Sequence, residues 1–511
     1  MNKKLRKIVA TPAAVLVLLP FWMAGNGCAT QKTEISSSPD LDIEKRTAAD
    51  TRVDHAGDSL ALVDALYIGL HNNRSLSAEK LEIPLAKFSL SEQLAQFDPD
   101  IALGISGSTT KADERTTARS YRGEFSTGKT FGDGTDLDIG FSSRQDRLDT
   151  GSGRYRSRVE LGVDRPLLRE GGAAVNTLNV KLAKLDIELS RYQFRGFVEN
   201  LAAEIEKAYW DYVLAARQLQ IHEESLRLSR LQLDETQERI RTGRLAAVDE
   251  YAASAEVARQ RENLIDARSD LENKRLQLLR LINIPGWQEA KMLEAADTPA
   301  SPETIPEEPD YYLELASTRR PELNEARLKL ERGDLQLIQT KNGLLPRLDF
   351  FLTAGRSVYA ESFSDSLDEL NEDNYDLEAG LRFAFPYGNQ ARRAAHEKAV
   401  LNRRQTKIAL KNLEDAVNQD VRTAHLEVRR SLAQIEATRS TRRQREEALR
   451  AEREKFRVGR STSFQVAQAQ RNLTDSKISE IQARIFHRKA IVELYRLSGS
   501  LLENWQIELQ M

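Results

Sequence analysis

The chain has 511 residues, of which 30% are charged and only 6% aromatic, and its formal net charge at pH 7 is −3. So few aromatic residues suit long helices in contact with water better than a large globular core. A charge balance this close to neutral provides no basic field, so no nucleic-acid partner is expected.

An export signal is predicted at residues 1–27, where basic residues precede an apolar segment. Cys28 follows and is the only cysteine in the chain, so it cannot form an internal disulfide. Its position resembles that of the acylated cysteine of a bacterial lipoprotein, although Gly25 stands where that motif usually has Leu. The alternative is an ordinary cleavage site with an incidental cysteine. Residues 28–57 are predicted to be a lipid-anchored polar tether, and Ala29 favours the outer membrane.

The rest of the chain is an internal duplication. Gly243 aligns with Gly459 at an offset of 216, whereas Pro99 aligns with Pro346 at an offset of 247. The first copy therefore contains 31 additional residues between Pro99 and Gly172, which form either another hairpin around 121–141 or a loop. We place the first copy at 58–297, a Pro/Glu-rich connector at 298–310, the second copy at 311–500 and a C-terminal segment at 501–511.

Within each copy the spacing of apolar residues changes from two to a heptad. Alternating apolar residues predict strands at about 100–165 in the first copy and about 347–386 in the second. The segments 129–136 and 362–374, rich in Gly, Asp and Ser, are predicted to be turns or loops. Long helices follow the strands, with heptad seams at Leu201, Ile205, Ala208, Tyr212, Ala215 and Leu219 and at Val417, Val421, Ala424 and Val428.

Both long helices are predicted to end at glycine turns. The turns are formed by Thr242, Gly243, Arg244 and Leu245 in the first copy and by Val458, Gly459, Arg460 and Ser461 in the second. A helix that doubles back needs a residue that adopts positive φ easily, and glycine is the usual one. A continuous helix from Gly172 to Gly243 would be about 100 Å long, which suits a spanning structure.

The strands create a closure problem. No segment after the signal is apolar enough for a transmembrane helix, so a membrane crossing would have to use strands. Four to six strands are too few to close a barrel, and open sheet edges do not face lipid. Several chains would then have to share one barrel. The alternative is a small periplasmic sheet packed on the helices.

The sequence resembles the TolC-like outer-membrane efflux protein family over nearly all of the mature chain. The resemblance is carried by NGLLPRL (342–348), by the junctions RPLLREGG (165–172) and FPYGNQ (385–390), and above all by the tip and returning helix FRVGRSTSFQ (456–465). It implies a mainly α fold with membrane β-barrel strands. Duplicated helical hairpins would form a trimeric periplasmic tunnel topped by a shared transmembrane barrel.

The resemblance also implies roles for individual residues. The tips would dock a periplasmic adaptor, and the strand–helix junctions would lie at Pro166, Gly172, Pro386 and Gly388. Candidate residues of a periplasmic gate are Asp249, Glu250, Gln465 and Gln468. For Asp249 the alternative is a solvated carboxylate at the start of a helix.

Nothing in the sequence supports an enzyme, a cofactor or a metal site, because the six histidines are scattered and no phosphate loop or nucleophile elbow occurs. The function expected is a passive trimeric duct in the outer membrane of a Gram-negative bacterium, working with an adaptor and an inner-membrane pump of RND or ABC type. The duct of a type I protein secretion system is an alternative. A periplasmic adaptor or a structural coiled-coil lipoprotein belongs to a different class and leaves the strands unexplained.

Overall fold

The computed structural model describes residues 41–42, 59–113, 116–148, 153–283, 294–295, 297, 308–371 and 375–509. The first half contains, in chain order, β1 (Leu41–Asp42), β2 (Ser59–Leu60), α1 (Leu62–Asn72), α2 (Arg74–Glu79), α3 (Glu82–Ala95), β3 (Asp100–Asp113), β4 (Thr116–Thr130), β5 (Asp136–Leu148), β6 (Arg154–Pro166), α4 (Ala173–Asn176), α5 (Leu178–Arg241) and α6 (Val248–Ile282). The second half contains β7 (Glu294–Ala295), α7 (Pro309–Arg319), α8 (Pro321–Asn342), β8 (Arg347–Ala360), α9 (Phe363–Asp368), a 3₁₀ turn (Glu369–Asn371), β9 (Asp376–Ala384), α10 (Gln390–Arg457), α11 (Ser463–Ser498), α12 (Leu501–Asn504) and β10 (Glu508–Leu509).

Two very long helices dominate the fold, which is mainly helical as predicted. The helix α5 has 64 residues and α10 has 68, so each is about 100 Å long at 1.5 Å per residue. The returning helices α6 and α11 have 35 and 36 residues and therefore cover only the tip-side halves of their partners. On the other halves, α3 and α8 pack against α5, and α8 also packs against α10. No helix in the described ranges is both long and apolar enough to cross a membrane.

The predicted heptad seams are buried. In α5 the side chains of Leu201, Ile205, Tyr212 and Ala215 are buried, and in α10 all four predicted positions are. Ala208 and Leu219 are partly buried against the same core. The largest apolar cluster lies along the first half of α5, where α1, α5, the end of α6, the end of α11 and α12 meet.

Short strand pairs join distant parts of the chain. The strand β1 lies in the segment predicted to be a polar tether, and it pairs antiparallel with β10 near the C-terminus. The strand β2 pairs parallel with β7, and nearby the Tyr209 hydroxyl donates a hydrogen bond of 2.6 Å to the Asp297 carboxylate. Cys28 and the predicted export signal lie outside the described residues.

The other six strands form one antiparallel sheet in the order β3-β4-β5-β6-β8-β9. Its register places Leu103 opposite Phe125, Phe125 opposite Phe141, and Phe141 opposite Val159, so the apolar residues share one face. That face is open, since Leu103 is 76% exposed. The opposite face carries polar and charged residues. The alternation matches the lipid-facing and lumen-facing sides of membrane strands.

Some local expectations differ from the structure. The 31 additional residues of the first copy form strands, because β4 and β5 are joined by the turn at 131–135; the first copy thus has four strands of the sheet and the second has two. The expected loop at 362–374 is wrong in part, since α9 begins where the Ser362 side chain accepts a hydrogen bond of 3.1 Å from the Asp365 N–H. The strand β9 ends at Ala384, and α7 begins inside the expected connector with Pro309 at its first position.

Candidate functional site

Both hairpin tips use the same backbone turn. Gly243 has φ of 73° and Gly459 has φ of 77°, as the sequence predicted. The N–H of Arg244 donates to the carbonyl of Arg239, and the N–H of Arg460 donates to that of Lys455, each at 2.8 Å. This is the Schellman motif, in which a left-handed residue lets the chain satisfy the last carbonyls of a helix. Glycine is therefore required at both positions for the same reason, which is the positive φ of the turn.

The returning helices begin differently. In α11, Thr462 and Gln465 form a capping box: the Thr462 hydroxyl accepts from the Gln465 backbone N–H at 3.3 Å, and the Gln465 side-chain Oε1 accepts from the Thr462 backbone N–H at 3.2 Å. In α6 no side chain caps the start, and the first turn carries Asp249 and Glu250 instead. Carboxylates there complement the partial positive charge of a helix N-terminus.

The tip arginines point to solvent. Arg244 and Arg460 are exposed, and within the described residues neither forms an ion pair. Their neighbours do, since Glu238 lies 2.8 Å from Arg241 and Glu454 lies 2.9 Å from Arg457. The outermost cations of the two tips are therefore free for a partner.

The surroundings of the two tips differ in charge. Residues 450–470 contain five cationic and two acidic residues, a formal charge of +3. The equivalent residues 234–254 contain three cationic and five acidic residues, a formal charge of −2. The two tips thus have the same backbone conformation but opposite formal charges.

The two tips of one chain contact each other. Arg239 donates a hydrogen bond of 2.9 Å to the backbone carbonyl of Phe456, and its guanidinium lies 4.6 Å from the Phe456 ring centroid. Leu245 packs against the small apolar cluster that contains Phe456 and Val466. Farther from the tips, Arg471 of α11 bonds the buried carboxylate of Glu256 on α6 at 2.8 Å. The sequence pattern did not predict these contacts.

The four gate candidates lie close to the tips. Asp249 is partly buried, and its backbone carbonyl accepts from the Ser463 hydroxyl at 3.4 Å. Glu250 accepts from the Gln237 amide at 2.9 Å. Gln465 is exposed and engaged in the capping box, while Gln468 is exposed and donates to Asn472 at 3.1 Å. All four are therefore anchored by contacts within one chain.

Proline and glycine residues lie at both strand–helix junctions. Pro166 ends β6 opposite Asp349, and Gly172 precedes α4 with φ of 93°. The Gly172 N–H donates to the Asp133 carbonyl at 2.9 Å, which fixes the β4–β5 turn beside the junction. Pro386 and Gly388, with φ of 85° at the glycine, link β9 to α10. Each junction redirects the chain from sheet to helix.

Ionisable residues inside the helical part are paired across elements. Lys489 lies 2.8 Å from Asp211, which joins α11 to α5. Burial opposes ionisation of Glu493, but hydrogen bonds from Arg496 and Lys207 lower the pKa of its carboxyl to about 2. Across the described residues, no group of three or more potential metal ligands is found. These ion pairs hold the two hairpins together.

Comparison with known proteins agrees with this architecture. The profile of the outer membrane efflux protein family matches twice, at residues 65–283 and 312–500. Among proteins with curated descriptions, none matches the sequence significantly.

Solved structures share the fold. The Campylobacter jejuni outer membrane channel CmeC has 13% identity over 86% of this chain and 86% of its own, with a TM-score of 0.65. The Vibrio cholerae outer membrane protein VceC has 14% identity over 86% of this chain and 96% of its own, with a TM-score of 0.64. The Neisseria gonorrhoeae outer membrane channel MtrE, in its open state, has 16% identity over 91% of this chain and 97% of its own, with a TM-score of 0.63. With both repeats matched in order, the chain belongs to the outer membrane efflux protein family.

Proposed function

We propose that three copies of this chain form the passive outer-membrane duct of a tripartite efflux or export system. The observation that carries the proposal is the junction of two unlike parts in one chain. A sheet with an exposed apolar face leads directly into two hairpins about 100 Å long. A chain with this construction can connect a lipid bilayer to a distant partner.

The sheet is the membrane part of the proposed duct. Its apolar face would lie against lipid and its charged face would line water, as in membrane strands generally. Two edges of the sheet are open, and lipid-exposed edges do not occur in the hydrocarbon region. A homotrimer that shares one barrel removes the open edges. The location that follows is the outer membrane of a Gram-negative bacterium, with the helices extending into the periplasm.

The hairpin tips are the docking end. Their exposed, unpaired Arg244 and Arg460 stand on rigid turns at the far end from the sheet. We assign these tips to a periplasmic membrane-fusion adaptor, which in turn engages an inner-membrane pump of RND or ABC type. The opposite formal charges of the two tips mean that the adaptor meets two different surfaces.

The gate is assigned to the same end. Asp249 and Glu250 of the first hairpin and Gln465 and Gln468 of the second begin the returning helices, where three copies would converge. Six carboxylates brought together would repel one another and attract cations, whereas the amides would form hydrogen bonds without that field. Opening would separate these groups at the cost of the Arg239–Phe456 contact.

Cys28 is proposed to carry the lipid anchor, so that the outer-membrane lipid is a further partner. The support is its position directly after the predicted export signal and its uniqueness in the chain. An acyl chain would hold the N-terminus at the same membrane as the barrel.

Photo-crosslinking in living cells tests the docking role. A photoreactive residue at position 460 is expected to capture a periplasmic adaptor, identified by mass spectrometry. The same residue at position 447, whose side chain is 62% exposed on α10, serves as the control and should capture much less. Capture of only other copies of this chain from position 460 would refute the docking role. An adaptor that travels with a proton-driven pump would indicate small-molecule efflux, and one with an ATP-driven pump would indicate polypeptide or drug export.

A further inference from the structure

The two outer strands of the six-stranded sheet have complementary edges. Within the described part of the chain, β3 pairs only with β4 and β9 pairs only with β8. The strand β3 has 14 residues and β9 has 9, so each leaves a row of backbone N–H and C=O groups without strand partners. In lipid such rows are strongly unfavourable and must be paired.

The direction of the strands allows the two edges to pair with each other. All five neighbouring pairs are antiparallel, so with six strands β3 and β9 run in opposite directions. The β9 edge of one copy can therefore continue into the β3 edge of the next as an ordinary antiparallel pair. An odd number of strands would not close in this way.

The side-chain pattern continues across the same junction. On β3 the large exposed apolar residues are Ile101, Leu103 and Ile105, and on β9 they are Leu377, Leu381 and Phe383. The register across the whole sheet places these residues on one face. Pairing β9 with β3 joins the apolar band of one copy to that of the next without interruption.

We infer that three copies close into one barrel of 18 strands, with β3 of each copy paired to β9 of its neighbour. The inference rests on the proposed trimeric duct and adds the pairing edges and the strand number. Each copy supplies six strands, four from the first repeat and two from the second. The first repeat has two more strands than the second because its 31 additional residues are equivalent to one hairpin.

The circumference of such a barrel fits the helical part. Eighteen strands about 4.8 Å apart and tilted by about 40° need about 110 Å of circumference. Each copy supplies four helices side by side, namely α5 and α10 with either α6 and α11 or α3 and α8, and twelve helices at about 9 Å spacing also need about 110 Å. Twelve strands would give only about 75 Å. An 18-stranded barrel can continue the wall of the helical tunnel without narrowing.

The width of the barrel depends on its number of strands. Its backbone radius is about 18 Å, compared with about 12 Å for twelve strands. The backbone of such a barrel is then no narrower than the wall of the helical tunnel.

Disulfide crosslinking tests the edge pairing in the full chain. In a Cys28→Ser background, one cysteine is placed on β3 at Ser106 or Ser108 and one on β9 at Glu378 or Gly380, all on the charged face. We expect oxidation to give covalent dimers and trimers on denaturing gels. The matched control places the first cysteine at Ser142 of β5 and should give none. Crosslinking between β5 and β9, with none between β3 and β9, would overturn the inference, because β5 would then be the edge of the barrel.

Electron cryo-microscopy of the detergent-solubilised protein counts the strands directly. The expected cross-section has threefold symmetry and 18 strands, and a variant that lacks residues 118–148 should have 12. A threefold particle of the full chain with 12 strands would overturn this inference and leave the trimeric duct in place. A particle without threefold symmetry would overturn the trimeric duct and the strand number together.

Discussion

A buried carboxyl about a third of the way along α5 predicts an unusual dependence of stability on pH. The side chain of Glu199 is only 3% exposed and accepts a hydrogen bond of 3.0 Å from Arg195. Arg195 also bonds Glu503 of α12 at 2.8 Å, so its charge is shared between two carboxylates. Burial raises the pKa of Glu199 to about 7, and the neighbouring Arg195 only partly offsets this.

The sign and size of the effect follow from linkage. In the unfolded chain this carboxyl has the ordinary glutamate pKa of 4.5, so as pH rises the unfolded state releases the proton before the folded state does. The folded state therefore loses stability as pH rises from about 4.5 to about 7. With 1.36 kcal/mol for each pKa unit, the loss is about 3 kcal/mol. Glu199→Gln should remove this dependence on pH. Above pH 7 the variant should be more stable than the parent by about 1–2 kcal/mol, which is less than the full loss of about 3 kcal/mol because the variant also loses the ion pair with Arg195.

Glu493 provides a control of opposite sign. Hydrogen bonds from Arg496 and Lys207 lower the pKa of its carboxyl to about 2 despite its burial. Its contribution is therefore present above about pH 4.5 and is lost as pH falls towards 2. The side chain of Glu493 is 31% exposed, so solvent weakens its ion pairs. Glu493→Gln should therefore lower the free energy of unfolding at pH 7 by about 1–2 kcal/mol.

Thermal loss of helical circular dichroism, measured from pH 5 to pH 8, distinguishes these outcomes. A chain of this length should shift its midpoint by about 1 °C for each kcal/mol. In the parent the unfolding midpoint should fall between pH 5 and pH 7, and Glu199→Gln is expected to make this fall smaller. Glu493→Gln is expected to lower the midpoint at pH 7. Equal destabilisation of Glu199→Gln at pH 5 and at pH 8 would contradict the raised pKa of Glu199, because that carboxyl would then be ionised throughout the range.

Three further predictions concern the tips and the N-terminus. Gly459→Ala should destabilise the fold by only about 1 kcal/mol, because the positive φ is unfavourable for alanine but no atom lies within 4 Å of the added Cβ. Gly459→Pro also removes the N–H that donates to the Phe456 carbonyl, and it should abolish export while the trimer persists in the outer membrane. Normal export by the proline variant would contradict the docking role. With the photoreactive residue moved to the exposed position 458, Arg460→Glu should reduce adaptor crosslinking about fivefold and Arg244→Glu much less, because only the second tip is cationic; equal losses would show that the local charge does not matter. Mass spectrometry of the N-terminus should find an acyl group at Cys28 that Cys28→Ser lacks, and a parent chain without lipid would refute the anchor.

The fold was largely predictable because its main features are local and periodic. The heptad seams identified the buried faces of α5 and α10, and the glycines at positive φ identified both tips. The apolar face of the sheet followed from alternation alone, since residues two apart in a strand share a face. Each of these patterns has one structural solution that is far more favourable than the others.

The contacts between elements were not predictable in the same way. Arg and Glu recur along these helices, and many pair within their own helix, as Arg241 does with Glu238. Nothing in the sequence distinguishes these from Arg471, which reaches Glu256 on another helix. The strand number of the first copy was also undetermined, because 31 residues rich in small and polar side chains suit either a loop or a hairpin until their register with neighbouring strands is known.

The duplication explains why the tips share a backbone but differ in chemistry. The turn geometry depends on glycine at positive φ and on the helix carbonyls, and both copies have retained it. The start of the returning helix can be stabilised either by carboxylates, as at Asp249, or by a neutral capping box, as at Thr462 and Gln465. Because either solution suffices for folding, the charge at each tip is free to respond to the partner. In a trimer the six tips would alternate in sign around the ring, so an adaptor with one kind of hairpin tip would bind alternate positions unequally.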